Sequence, residues 1–240
     1  MTNVWTLIDT LLKAPVNPGT YRMCLSGKPG IGKTVTPIKT LRADGTLVYV
    51  LTVTEESDVA ELRGSWQLKG NEFVWVDGPL TRAWRESATQ RVAVLINEID
   101  KMNGAVAAFL HVYLDDHTPG IGAAELHLPT GEILRPTPWN IRYIATMNGA
   151  FADLPDPIQS RFPVNIEVNN VHPDALQTLS PDLRDLARNM TETANGARQT
   201  SIREFHAFDA LRQIIPAEDA AQAIFGKSAT QVLDTLLLRV

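Results

Sequence analysis

The sequence predicts an α/β fold: an αβα sandwich around a five-stranded parallel sheet, followed by a small all-helical lid domain. Three observations carry that expectation. Five short apolar runs, at 21–26, 47–53, 92–96, 141–146 and 164–168, are continuously hydrophobic rather than alternating, the pattern of strands buried on both faces. Helical or loop-like stretches separate them, as the crossovers of a parallel sheet require. After Val168 no further strand candidate occurs, and helical spacing takes over in Leu176, Leu179, Leu183 and Leu186, then in Phe205, Phe208, Leu211 and Ile215, and finally from Val232 to Leu238. A domain boundary is therefore expected near Asn170, dividing the chain into 1–170 and 171–240.

Ahead of the first run, Thr2 or Asn3 can cap a helix that carries Trp5, Ile8, Leu11 and Leu12 on one face. Pro15, Asn17, Pro18 and Gly19 then break it. With 240 residues, 44% hydrophobic and 20% charged, the chain can bury one large core and a smaller companion. Its formal net charge of −5 argues against a generally basic surface for nucleic acid while leaving room for a local basic channel. Cys24 has no second cysteine to pair with and lies in an apolar run, so it reads as a small core residue in a reducing cytoplasm. No basic stretch leads into an apolar run at the N-terminus, and no segment has membrane-spanning length. A soluble, cytoplasmic protein with no membrane partner is expected. His111, His117, His127, His172 and His206 lack zinc-site spacing, and Asp115-Asp116 before His117 and Pro119 reads as a helix end and turn.

Gly27, Lys28, Pro29, Gly30, Ile31, Gly32, Lys33 and Thr34 match G-x-x-x-x-G-K-[ST] directly after the first strand candidate. Glycines let backbone N–H groups turn inward around phosphates, and the following helix offers its positive N-terminus to them, so Val35 joins these eight residues as an expected nucleotide-binding position. Lys33 is placed to reach the β- and γ-phosphates, and the Thr34 hydroxyl to ligate Mg2+. The bland alternative is a chance Gly-rich turn. Pro37, read as falling just past the first helical turn, predicts a short or bent helix.

Beyond this loop the chain resembles the AAA+ ATPases. The resemblance rests on the phosphate loop, on Leu95-Ile-Asn-Glu-Ile-Asp100, and on Ala145-Thr-Met-Asn148 followed by Ser160-Arg-Phe162, in that order and spacing. Thr54-Glu-Glu-Ser-Asp-Val-Ala-Glu-Leu-Arg-Gly64 and Val76-Asp-Gly-Pro-Leu80 make it similar to the MoxR and dynein-related branch. The similarity spans about residues 16–208, and it implies a P-loop NTPase fold, ATP and Mg2+ as cofactors, and a homo-oligomeric ring, a hexamer by expectation.

The resemblance also implies roles. The run 92–98 occupies the place of the Walker B strand, whose two terminal acidic residues serve Mg2+ and the attacking water. Here Asn97 stands at the first, metal-side position, which is a departure, and Glu98 matches the general base. Asn148 matches the sensor that positions the water. Arg161, in Asp156-Pro-Ile-Gln-Ser-Arg161, matches the arginine finger that serves a neighbouring subunit's γ-phosphate. Arg203, in Ser201-Ile-Arg203, resembles the second sensor in the lid. Each has a plainer alternative: a solvated strand end for Glu98 and Asp100, a turn residue for Asn148, a surface salt bridge for Arg161, and a solvated helix charge for Arg203. In the family, hairpin inserts at the positions of 61–76 and 123–138 tend to line the ring's pore or contact substrate. The first holds Trp66, Phe73 and Trp75, the second Pro129-Thr-Gly131. Packing of Trp66 and Phe73 onto the sheet is the alternative.

Three functions fit these readings. One is a ring-forming, Mg2+-dependent ATPase that remodels or activates a separate protein partner, in this branch often one carrying a von Willebrand A domain. The second is a hydrolysis-poor ATP-binding assembly module. The third is a nucleic-acid translocase, supported by Arg82, Arg85 and Arg91 and by the exposed-looking aromatics of the first insert, and opposed by the net acidity. Asn97 in place of an acid predicts slow hydrolysis.

Overall fold

The computed structural model describes residues 3–17, 21–115, 124–192 and 200–237. Thr2, Pro18, Gly19, Asp116, His117, Pro119, Ala123 and Leu238, which carried expectations above, lie outside them. Internal packing divides the chain into two units, one of Met1–Gly27 with Thr34–Glu167 and one of Lys28–Lys33 with Val168–Val240.

The first unit opens with α1 (Val4–Lys13), whose Asn3 side chain accepts the Trp5 N–H and whose Trp5, Ile8 and Leu12 are buried. Then follow β1 (Arg22–Gly27), α2 (Val35–Ala43), β2 (Leu47–Thr52), α3 (Val59–Arg63), β3 (Gly64–Lys69), β4 (Glu72–Asp77) and α4 (Pro79–Glu86). The remainder is β5 (Val92–Asn97), α5 (Gly104–Tyr113), β6 (Leu126–His127), β7 (Ile133–Leu134), β8 (Ile141–Thr146), α6 (Asp156–Gln159) and β9 (Val164–Val168). β2, β5, β8, β1 and β9 lie side by side in that order as one five-stranded sheet. β2 with β5, β5 with β8 and β1 with β8 pair parallel, with Leu51 beside Ile96, Ile96 beside Ala145, and Leu25 beside Thr146. All five strand runs read from the sequence are present.

Burial on both faces holds for β1 and β8, where every residue is buried, and for β5 up to its last residue. It fails at the edges. β2 buries only Leu51, and β9 alternates, because an edge strand has a neighbour on one side and less cover above and below. Pro37 also departs from expectation. It is the third residue of α2, in the first turn, where its N–H would have had no helical partner anyway.

Aromatic packing holds the sheet's helical cover. The Trp84 ring stacks on Tyr113 at 4.7 Å and its Nε1 donates to the Tyr143 hydroxyl at 2.9 Å, while the Tyr113 hydroxyl donates to the Leu80 carbonyl. Each large ring is thus buried with its polar tip satisfied. Burial pushes both tyrosine phenols well above their ordinary range. Two buried arginines tie helix ends to the strands. Arg142 of β8 donates to the Leu11 and Ala14 carbonyls at the end of α1, and Arg22 of β1 donates to the Leu114 carbonyl beyond α5. A cation at a helix C-terminus meets the negative end of the helix dipole. Burial lowers the Arg142 pKa from its ordinary value.

The two inserts form hairpins. The first starts later than expected: Glu61 lies in α3, which Asp58 caps by accepting the Ala60 N–H, and pairing begins at Gly64. Trp66 faces Trp75 and Leu68 faces Phe73, so these four side chains share one face. Leu68 and Phe73 are 63% and 70% exposed, and Trp66 is 48% exposed while touching Trp75 edge-on, so packing onto the sheet does not occur. The second hairpin pairs β6 with β7 around Gly131. Arg85 of α4 donates to Asp77 at the base of the first hairpin and to Glu132 in the second, which holds the Glu132 carboxyl below its usual range.

The second unit contains α7 (Pro173–Gln177), α8 (Pro181–Glu192), α9 (Ile202–Leu211), α10 (Ala217–Phe225) and α11 (Ala229–Leu237), with no strand among its described residues beyond Val168. Phe225 packs against Phe205 and Phe208 with ring centroids 5.2 and 5.3 Å apart. Arg212 bridges Asp182 and Asp209, and its hydrogen bonds hold the Asp182 carboxyl below the usual range.

Candidate nucleotide site

In the second unit, the loop read as phosphate-binding turns through Gly30 (φ 75°) and Gly32 (φ 114°), backbone angles that side-chain-bearing residues rarely adopt. A Cβ on Gly30 would also lie 3.0 Å from the Ser201 Cβ, so the loop and the start of α9 meet where only glycine fits. Ser201 caps α9 through a reciprocal pair with Glu204. The Ile31 carbonyl accepts the His172 N–H at 3.1 Å. Lys28 Nζ donates to the Glu192 carbonyl at the end of α8, while Glu192 Oε1 accepts the Val171 N–H. The Lys33 side chain is buried and its ammonium donates to the Lys28 carbonyl within the loop. Arg203 is exposed on the first turn of α9.

In the first unit, the sheet register brings two hydroxyls to Asn97 and the start of α2 brings a third. Thr52 lies beside Asn97 on the neighbouring strand, and Thr146 is one step beyond Ala145, the partner of Ile96. Asn97 Oδ1 accepts from Thr34 Oγ1 and from Thr146 Oγ1, both at 2.7 Å, and its Nδ2 donates to Thr52 Oγ1 at 3.5 Å. An amide oxygen has two lone pairs, and here two hydroxyl protons occupy them. The Thr34 hydroxyl, with its proton committed to that bond, keeps its own lone pairs. Thr52 and Thr146 were not singled out from the sequence. The available signal was their place at the carboxyl ends of adjacent parallel strands, which needs the register to be read.

Glu98 follows with φ 58° and ψ 44°, the one non-glycine residue at positive φ among those described. Such a conformation costs about 1–3 kcal/mol and persists only where the surroundings impose it. It turns the chain from β5 into a short 3₁₀ segment, Ile99–Lys101, anchored by buried Ile99. Asp100 Oδ2 lies 3.6 Å from Lys101 Nζ, and Oδ1 is buried with no partner among the described residues. Asn148 lies exposed just past the end of β8. Arg161 follows α6 and is engaged by His111 and Asp115 at the end of α5. The salt-bridge alternative for Arg161 is therefore real within one subunit.

No group of three His, Cys, Asp or Glu side chains that could hold a metal ion occurs among the described residues. The donor set on the sheet side is neutral: the Thr34 hydroxyl, held by an Asn97 amide oxygen whose own lone pairs are taken. That set fits a cation bound mainly through phosphate oxygens and water, the ordinary mode of Mg2+ in nucleotide sites, and does not fit a stand-alone metal centre.

Residues 22–162 match the family model described as the AAA domain, dynein-related subfamily. The chain belongs to that family. The membership agrees with the resemblance read from the motifs. The chain is 36% identical to protein NorQ of Paracoccus denitrificans (strain Pd 1222) over 92 residues, which cover 38% of this chain and 33% of NorQ. It is 30% identical to midasin of Giardia intestinalis over 124 residues, covering 52% of this chain and 2% of midasin. The chain thus spans about a third or less of these relatives' own length. Two variants of RuvB from Thermotoga maritima share the fold over 98% of this chain and 68% of theirs, with TM-scores of 0.52 and 0.51 at 16% and 15% identity. This P-loop ATPase fold implies nucleotide binding, and AAA+ proteins typically oligomerise. No helix among the described residues is long and apolar enough to cross a membrane.

Proposed function

We propose that the protein binds ATP with Mg2+ and hydrolyses it as a ring-forming ATPase of MoxR type, whose turnover remodels or activates a separate protein partner. The observation that carries this reading is Lys33. A buried ammonium in a glycine-turned loop donates to that loop's own carbonyl, a bond it can exchange for phosphate oxygens. Thr34 would hold the cation through its free lone pairs, and the Asn97 carbonyl would fix the Thr34 hydroxyl. The cation would neutralise charge on the phosphates. Glu98 would polarise the attacking water, Asn148 would position it, and Arg161 would act on a neighbouring copy's γ-phosphate. Arg203 would contact the nucleotide from the lid.

Calorimetry tests the loop. Lys33→Ala is expected to weaken ATP binding at least about tenfold, since a charge-assisted contact to phosphate is lost. Unchanged affinity would overturn the assignment. The neutral Asn97 favours a slow enzyme and a long-lived ATP-bound ring. Asn97→Asp is accordingly expected to raise phosphate release at saturating Mg2+ several-fold, because a carboxylate accepts metal-bound water better than an amide does. A rate no higher than the parent's would show that Asn97 is not limiting.

The translocase reading keeps the exposed hairpin aromatics Trp66 and Phe73 but finds its arginines engaged within the first unit. Arg85 is paired with Asp77 and Glu132, Arg91 with Asp44, and Arg82 sits over the Tyr49 ring. These arginines are spent on neighbours of the same chain.

A further inference from the structure

Arg161 is held from three directions by its own subunit. Its Nε donates to the His111 carbonyl at 3.4 Å, and its NH2 group meets His111 Nε2 at 3.1 Å and Asp115 Oδ1 at 3.0 Å. NH1 donates to Ser160 Oγ at 3.3 Å. A guanidinium has five N–H donors and no acceptor, so His111 must offer Nε2 as the acceptor and carry its ring proton on Nδ1. The His111 carbonyl lies in the last turn of α5, where carbonyls lack helical partners and the dipole favours a cation. Four of the five donors are thus engaged within the subunit, and one NH1 hydrogen has no partner among the described residues. The Arg161 side chain is 19% exposed, against 49% for Asp115.

We propose that His111 and Asp115 are positioning residues for Arg161: they set its guanidinium on the end of α5 so that its remaining NH1 donor is presented to a phosphate held by a second copy of this chain. The proposal rests on the reading of Arg161 as an arginine acting across subunits. An arginine side chain loses much rotamer freedom when it is fixed. If the subunit fixes it beforehand, that loss does not fall on the step in which the phosphate is transferred. Asp115 contributes the anchoring charge, and the backbone and ring of His111 set the angle. Neither touches the reacting atoms.

The test is a double-mutant cycle on the assembled full chain, reading kcat and KM for phosphate release with Mg2+-ATP. Asp115→Ala is expected to lower kcat about three- to tenfold, the ordinary worth of pre-ordering one long side chain, with KM for ATP unchanged. Asp115→Glu should recover most of the loss, because it restores the charge. Asp115→Ala added to Arg161→Ala should lower the rate no further, since there is no guanidinium left to position. If Asp115→Ala melts the fold, Asp115→Asn replaces it as the isosteric variant in the same cycle. A kcat for the Asp115 variant equal to or above the parent's overturns the proposal, as does a loss of equal size in the Arg161→Ala background. If Arg161→Ala alone keeps the parent's kcat, the cross-subunit reading itself has failed, a result distinguishable from the other two.

Discussion

Arg161→Ala is expected to lower ATP turnover by about a thousandfold or more in the assembled protein while leaving ATP affinity at the parent's value. In the proposed function the arginine would supply positive charge where negative charge develops on the transferred phosphoryl group, so its loss would be felt in the transition state and scarcely in the ground state. Its anchoring on α5, through Asp115 and His111, also predicts that the substitution removes a surface pair worth little to stability. Specific activity of the parent should climb with protein concentration as subunits associate, and activity of the variant should stay flat. Phosphate release measured across a dilution series, with light scattering to report size, checks this. Full turnover from a monomeric parent would contradict it.

Glu98→Gln is expected to lower turnover by about a hundred- to ten-thousandfold, the usual worth of a positioned general base. Glutamine keeps the length and the shape of the side chain but gives up the carboxylate that draws a proton from water. Its backbone must still adopt φ 58°, a strain both residues carry equally, so the fold should melt within about 0.5 kcal/mol of the parent. ATP should bind as before and remain bound. A single-turnover experiment separates the two stages. Phosphate release at the parent's rate would remove Glu98 from the mechanism.

The interior of the fold was legible because hydrophobic runs report burial directly. β1, β5 and β8 have neighbours on both sides and helices above and below, so their sequences carry no alternation. β2 belongs to the same class by sequence yet lies at an edge, and nothing in 47–53 distinguishes an edge from an interior strand. Pro37 falls within the first turn and not just past it, because the helix begins only at Val35. The start of the first hairpin was displaced similarly, because the Asp58 cap extends helix through Arg63.

The candidate site was legible in its consecutive motif and less so across strands. The loop from Gly27 to Thr34 announces its chemistry in eight adjacent residues. The hydroxyls that meet Asn97 come from positions 45, 49 and 63 residues away; the parallel register brings Thr52 and Thr146 to its level, and the start of α2 brings Thr34. The cis partners of Arg161 were equally hidden. His111 and Asp115 read as unremarkable residues at a helix end, and their meaning depends on the packing of α6 against α5.

Mixing two inactive variants tests the central claim, that catalysis is completed across a boundary between copies, most directly. An Arg161→Ala subunit retains Glu98, and a Glu98→Gln subunit retains Arg161. In a ring with head-to-tail interfaces, one ordering of the two rebuilds an intact site, at about a quarter of interfaces in an equal random mixture. Phosphate release from the mixture should therefore rise well above the sum of its parts, toward a fraction of the parent's rate. A mixture as inactive as its two components, in a co-assembled ring confirmed by light scattering, would contradict the account.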